Sequence, residues 1–276
     1  MQLGILTKAF EGTTPAAVLQ AARAAGYETV QYSMTSSGVG PLPEVVDDEA
    51  AGALRSASKE SGVSIAAVSA VYNMIHSDVR EREKGRKSVR AIAAAAHQMG
   101  TSLLTVCTGT RDTEDMWRFH PENSSTSAWQ EMIAEFGILL AIAEEYDVRL
   151  GVEPELANVI CSAEKARQML DELGTGRVRI VLDAANLFEV ADPDRRRYLV
   201  EHAVDLLGDS IEIAHAKDRM ADGQFCTAGK GVLEYGHYFR VLRSAGFRGP
   251  MITHGLTAAE APGVAEFLRR EAGAIG

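Results

Sequence analysis

Acidic or imidazole side chains end four consecutive apolar runs in the second half of the chain. Buried strands should be apolar, so a charged side chain at the end of one needs an explanation. If the runs are parallel strands, their carboxyl ends meet at one end of the sheet, where two carboxylates and two imidazoles could hold one cation. The pattern predicts a metal site built from Glu153, Asp183, His215 and His254.

This set of donor atoms restricts the ion without selecting it. Oxygen and nitrogen ligands without thiolate suit Mn²⁺, Mg²⁺, Co²⁺, Zn²⁺ or Fe²⁺, and of these we expect one Mn²⁺ ion. The competing interpretation is a network of salt bridges, because clusters of charged groups are not always functional. His254 has two interpretations of its own: it is the fourth ligand, which we favour, or a base that titrates near working pH.

Two further residues near these positions are candidates for catalysis. Glu155 lies two residues after Glu153 and shares its face if the strand continues, although Pro154 can end regular pairing first. It is a candidate base, and the alternative is a solvated residue at the rim. Lys217 lies two residues after His215 and could polarise a substrate oxygen, or pair with Asp218 or Glu153.

These residues can converge only if short strands alternate with helices along the chain. Strand-length apolar runs start at intervals of 26 residues (Gln2 to Glu28) to 46 residues (Ser102 to Val148), which suits a strand, a helix and two loops per unit. The eight predicted strands are Gln2–Thr7, Glu28–Ser33, Ser64–Val71, Ser102–Thr108, Val148–Glu153, Val178–Asp183, Ser210–His215 and Pro250–His254.

Helix signals occupy the segments between the runs. Thr14 before Pro15 and Asp192 before Pro193 predict helix starts, and Thr257 with Glu260 three residues later predicts a capping box. Glycines that suit left-handed C-terminal caps follow four of the helical patterns, at Gly26, Gly62, Gly100 and Gly246.

Eight such units favour one (β/α)₈ TIM barrel over residues 1–276 with its active site at the C-terminal mouth. The length of 276 residues is close to the roughly 250 at which such barrels close. A doubly wound open sheet is the main competing architecture. It usually carries a glycine-rich phosphate loop after its first strand, and Thr7–Gly12 contains one glycine.

Composition excludes several classes of function. A formal net charge of −10 would repel a phosphate backbone, so we expect no nucleic-acid partner. No apolar run reaches the roughly 18 residues that span a bilayer and no signal peptide is recognised, which predicts a cytoplasmic protein without a membrane partner. The three cysteines lie far apart and predict neither disulfides nor a structural zinc site. A homo-oligomer is compatible with the sequence.

The residues described above resemble the xylose isomerase-like sugar phosphate isomerase/epimerase superfamily over nearly the whole chain. That superfamily includes ketose 3-epimerases, inosose dehydratases and isomerases, and the endonuclease IV branch. Its pattern of Glu, Asp and His-x-Lys-Asp on strands five to seven is matched by Glu153, Asp183 and His215–Asp218. Gly229–Tyr235 and Tyr72–His76 look like its loops after strands seven and three.

Two departures from the family pattern bear on mechanism. Strand eight offers His254 where the epimerases have a Glu that both binds metal and exchanges the substrate proton, which argues against a two-glutamate 3-epimerase mechanism. Asn186 stands where many members carry a substrate-binding His.

The long segment Thr108–Ser127 after strand four suits a loop that closes over the mouth. We expect residues of this loop, of the loop after strand three and of the segments after strands five to seven to bind the substrate. These candidates are Asn73, His76, Trp117, His120, Asn158, Asn186 and Lys217.

The resemblance and the residues together predict a metal-dependent isomerase or epimerase of a keto sugar or sugar derivative. Its reaction would begin by proton abstraction next to a carbonyl through a metal-bound enediolate. The alternative is a lyase or dehydratase on an inosose-like or 3-keto-sugar substrate. An endonuclease IV-like nuclease should show more histidine ligands and a basic face, and a metal-free sugar-binding protein would hold no ion.

Overall fold

Eight parallel strands close into a barrel in the computed structural model, which describes residues 1–274. The first strand pairs with both the second and the last strand of the barrel, and so completes the ring. The barrel strands are β1 (Leu3–Leu6), β2 (Thr29–Tyr32), β3 (Ser64–Ser69), β4 (Leu103–Val106), β5 (Arg149–Val152), β6 (Val178–Asp183), β7 (Ile211–Ala216) and β10 (Met251–Thr253). A hairpin of β8 (Asp218–Arg219) and β9 (Phe225–Cys226) follows β7.

Helices follow the barrel strands and pack against their neighbours, as a parallel sheet requires. They are α1 (Pro15–Ala24), α2 (Asp48–Ser61), α3 (Val79–Met99), α4 (Thr126–Glu145), α5 (Ala163–Leu173), α6 (Pro193–Leu207), α7 (Tyr235–Ser244) and α8 (Ala261–Gly273). The predicted TIM barrel is confirmed and the doubly wound sheet is excluded. None of the helices within residues 1–274 combines the length and the apolar composition that a membrane-spanning helix needs.

Most of the predicted helix caps are present in the structure. The side chains of Thr14 and Asp192 accept hydrogen bonds from the first turns of α1 and α6. The four predicted cap glycines all have positive φ. All three cysteines are free.

One helix start differs from its prediction. Thr257 and Glu260 form only one of the two hydrogen bonds of a capping box, in the turn before α8, which begins at Ala261. The Glu260 carboxylate accepts from the N–H and the hydroxyl of Thr257. Pro262 explains the difference: proline is tolerated in the first turn of a helix but lacks the N–H that a later position must donate.

An apolar layer inside the barrel lies directly below the predicted site. It is a buried cluster of Ala67, Leu103, Val181, Ile213 and Ile252, separate from the main core. Gly151 of β5 faces this layer, since a Cβ atom there would lie 3.0 Å from Val181 Cγ2 and 3.4 Å from Leu103 Cδ1. Alternate residues of a strand share a face, so residues two positions further along form the next layer toward the mouth.

Candidate metal centre

The next layer is polar and contains all four predicted ligands. Each follows a residue of the apolar layer, or Gly151, by two positions, as Asp183 follows Val181 and His215 follows Ile213. One ligand atom from each of Glu153, Asp183, His215 and His254 lies within 4.8 Å of the others. The period of two residues along four neighbouring strands thus brings two carboxylates and two imidazoles together.

The four side chains pair with one another and are largely buried. His254 Nε2 lies 2.9 Å from Asp183 Oδ2, and His215 Nδ1 lies 3.3 Å from Glu153 Oε1. Burial favours the neutral form of Glu153, but the two imidazoles outweigh it and hold the pKa of that carboxyl below its ordinary value. Burial likewise favours the neutral form of Asp183, but Lys217 and His254 outweigh it and lower the pKa of that carboxyl. Both carboxylates are therefore ionised.

His254 contributes a neutral imidazole to this cluster. Burial lowers the pKa of His254, and the neighbouring His215 ring lowers it further, although the hydrogen bond to Asp183 opposes the shift. A neutral imidazole keeps one lone pair that can bind a cation.

These donor atoms fit a divalent ion. With metal–ligand bonds of about 2.0–2.2 Å, ligand atoms on opposite sides of an ion lie roughly 4.4 Å apart at most. The observed separation, within 4.8 Å, therefore needs only a small contraction. Two ionised carboxylates would balance the charge of the ion.

Lys217 and Asn186 contact each other and two of the predicted ligands. Lys217 Nζ lies 3.3 Å from Asp183 Oδ2 and donates to Asn186 Oδ1 at 2.9 Å. Asn186 Nδ2 donates in turn to Glu153 Oε1 at 3.0 Å. Lys217 therefore pairs with Asp183, rather than with Asp218 or Glu153 as the alternative interpretation held. The Phe225 ring of the β8–β9 hairpin covers the Lys217 ammonium, with 3.7 Å between Nζ and the ring centroid.

Asp218 organises the loop after the hairpin. Its carboxylate, fully buried, accepts hydrogen bonds from the backbone N–H groups of Arg219, Gly229, Gly231 and Leu233. Burial raises the pKa of Asp218, and these four donors oppose the rise. The side chain thereby holds in place Gly229–Tyr235, the segment that resembles the family loop after strand seven.

Glu155 faces the same cavity as Glu153, His215 and His254, although β5 ends at Val152. Its backbone N–H donates to Ile160 O at 2.9 Å, so regular pairing has already stopped. Burial raises the pKa of Glu155 to about 7, with Lys217 opposing and Glu153 adding to the rise. A carboxyl with this pKa can both accept and release a proton near neutral pH.

A cavity of about 820 Å³ opens above the ligands. Four predicted substrate-binding residues line it: Asn73, His76, Trp117 and Lys217. Two others are hydrogen-bonded to residues of the β4–α4 loop. His120 Nδ1 accepts from the N–H of Glu122 at 3.3 Å, while Asn158 is buried and accepts from the N–H of Gly109 at 2.9 Å. Neither is among the residues that line the cavity, and their role in binding stays a prediction.

Several polar residues at the site were not predicted from the sequence. Gln31 of β2 and Ser69 of β3 line the cavity, and Thr105 of β4 is hydrogen-bonded to Gln31. The signal was present, because Ser69 and Thr105 follow the apolar-layer residues Ala67 and Leu103 by two positions.

One family of known proteins matches most of this chain. The chain matches the family described as xylose isomerase-like TIM barrel over residues 19–270. A search of curated protein sequences finds no match.

Solved structures with the same fold cover almost the entire chain. The 3-keto-D-glucoside 4-epimerase YcjR from E. coli is 17% identical, with a TM-score of 0.78 over 98% of this chain and 99% of that one. The IOLI protein with a binding zinc atom is 16% identical, with a TM-score of 0.75 over 100% and 99%. The probable 3-DHS dehydratase AsbF from Bacillus anthracis is 15% identical, with a TM-score of 0.76 over 98% and 99%. At these identities the likeness shows the fold alone.

Proposed function

We propose that this chain, which belongs to the xylose isomerase-like TIM barrel family, is a divalent-metal-dependent isomerase or epimerase of a keto sugar or sugar derivative. The observation that carries the proposal is the convergence of Glu153, Asp183, His215 and His254. All but Asp183 line a cavity that Glu155 and Lys217 also line. The similar solved structures include an epimerase and a zinc-binding protein, which supports the same choice.

The four ligands would hold the ion, and Mn²⁺ is the ion we propose. When bound, the ion supplies a Lewis acid that polarises a substrate carbonyl and acidifies the neighbouring C–H. Glu155 removes the proton from that carbon, since it lines the cavity and its pKa is about 7. Lys217 uses two of its three ammonium protons on Asp183 and Asn186 and directs the third to a substrate oxygen.

A dehydratase is the second candidate, and His254 favours it. Inverting one carbon requires a proton to leave from one face and return to the other, which is simplest with two bases. If His254 binds the ion in place of its hydrogen bond to Asp183, Glu155 is the base that remains. One base together with an acid such as Lys217 is sufficient to remove a proton and then expel a hydroxide from the next carbon. AsbF, with the same fold, is a probable dehydratase.

The size of the cavity supports a sugar derivative over a free sugar. At about 30 Å³ per water-sized group, 820 Å³ accommodates roughly 27 such groups, about twice the ~12 non-hydrogen atoms of a hexose. Its far wall follows one face of α3, at Glu81, Lys84, Gly85 and Ser88, over a length of ~10 Å. We propose that a second ring or other group attached to the sugar occupies this part.

The experiment is exchange with solvent deuterium, followed by NMR, on a panel of keto-hexoses, inososes and 3-keto-glucosides. We expect deuterium at the carbon beside the carbonyl in the product or the recovered substrate. An isomerase or epimerase returns a product of unchanged mass apart from deuterium, whereas a dehydratase releases water. A protein that binds members of the panel without exchange, turnover or metal would be a sugar-binding protein, and the proposal would be wrong.

A further inference from the structure

The two ring nitrogens of His215 have different partners. Nδ1 faces the metal cluster, 3.3 Å from Glu153 Oε1, whereas Nε2 lies 2.9 Å from Gln31 Oε1. His215 and Gln31 come from β7 and β2, and both are buried, at 3% and 5% exposure. Gln31 therefore reaches across the interior of the barrel to meet the histidine.

Gln31 is itself held at its other end. Its Nε2 donates to Ser69 Oγ and to Thr105 Oγ1, each at 3.1 Å. Both amide protons thus have acceptors on β3 and β4, which leaves the amide oxygen for His215. Gln31, Ser69 and Thr105 belong to the same polar layer as the ligands, on the side of the barrel opposite Asp183.

This arrangement has a consequence for metal binding. A neutral imidazole carries a proton on one nitrogen and a lone pair on the other, and an ion requires the lone pair. Only Nδ1 faces Glu153 and the cluster, so Nε2 must carry the proton when an ion is bound. Gln31 Oε1 is the acceptor for that proton.

We propose that Gln31 is a positioning residue that holds His215 in the tautomer with Nε2 protonated and so presents Nδ1 to the ion. The inference rests on the proposed metal site. Residues that accept the second N–H of a metal-binding histidine orient the ring, and their loss typically weakens metal binding or activity 10–100-fold. An uncharged acceptor performs this task without adding a third carboxylate to the layer.

The test replaces Gln31 and measures the affinity for Co²⁺, by absorption titration in competition with a chelator. Gln31→Met keeps the length of the side chain but removes the acceptor, and we expect a loss of affinity of roughly 10–100-fold. Gln31→Glu restores an acceptor and should recover most of that affinity. Thr29→Val is the matched control, since Thr29 lies on the same strand, is equally buried and bonds to Ser64 O outside the cluster. It should bind Co²⁺ like the wild type.

A second measurement is independent of affinity. In Zn²⁺-loaded protein labelled with ¹⁵N-histidine, the wild type should show a proton bonded to His215 Nε2 and none on Nδ1. Equal Co²⁺ affinity in Gln31→Met and the wild type, or a proton on Nδ1 in the loaded protein, would overturn the inference while leaving the metal site intact. A wild type that binds neither ion would instead remove the proposed metal site, and this inference with it.

Discussion

His254 is the residue on which the choice of mechanism depends most. It lies 2.9 Å from Asp183 Oδ2, and its ring centroid lies 4.6 Å from that of His215. As a ligand it leaves Glu155 as the base, whereas as a base it would supply the second proton transfer that an epimerase needs.

We predict that His254→Ala weakens metal retention as well as turnover, because it removes one of four donor atoms. Metal content after dialysis and the rate of deuterium exchange would be measured together. His202→Ala is the control, since that imidazole pairs with Glu164 on the surface and its loss should change neither quantity. If His254→Ala keeps its metal with unchanged affinity but loses turnover, His254 is a base or a substrate contact.

Glu155→Gln tests the proposed base. The variant should retain metal and bind substrate, yet lose roughly 10²-fold or more in turnover, as expected when a general base is removed. Glu189→Gln changes an exposed carboxylate after β6, outside the residues that line the cavity, and should leave turnover unchanged. A Glu155→Gln variant within about threefold of the wild type would move the base to His254 or Lys217.

At the scale of elements, the sequence predicted the strands and their order well. Each barrel strand lies within its predicted run, apart from β7, which extends one residue further to Ala216. Spacing and apolar runs were sufficient because parallel strands must alternate with helices. The ligands were found because charge at the end of an apolar run is conspicuous.

Other residues of the site were harder to predict for physical reasons. Gln31, Ser69 and Thr105 are single uncharged polar residues within their strands, and their importance appears only when the layers of the barrel are aligned. Phe225 reaches Lys217 through a hairpin of two-residue strands, too short to give a pattern in the sequence.

The loop after the hairpin depends on Asp218 for its structure. We predict that Asp218→Ala lowers the free energy of unfolding by about 3 kcal/mol or more, because four N–H groups, in one buried and three partly buried hydrogen bonds, lose their acceptor. Urea unfolding measures the change. Asp222→Ala, which removes one acceptor at the exposed tip of the hairpin, should stay within about 0.5 kcal/mol of the wild type. Equal stability of the two variants would contradict this account of the loop.

At the scale of the whole molecule, the cavity extends from the metal centre to α3, so the position of this helix limits the size of the substrate. Both Lys84 and Lys87 of α3 are exposed, but Lys84 lines the far part of the cavity whereas Lys87, three residues later, does not. The same substitution at the two positions separates an effect of filling the cavity from an effect on the helix.

We predict that Lys84→Trp lowers kcat/KM for phenyl 3-ketoglucoside at least roughly tenfold relative to 3-ketoglucose, because the added ring occupies the space that the attached group needs. Lys87→Trp should leave the ratio of the two substrates at its wild-type value. An unchanged ratio in Lys84→Trp would mean that the far part of the cavity does not contact the substrate.

The metal content of the purified protein tests the central claim most directly. Protein prepared without chelator should carry close to one divalent ion per chain by elemental analysis, and Asp183→Asn should carry far less, because Asp183 is the most deeply buried of the four ligands. Removal of the ion should abolish deuterium exchange, and its return should restore it. Near-zero metal in the wild type, together with full exchange activity in the presence of chelator, would contradict the account.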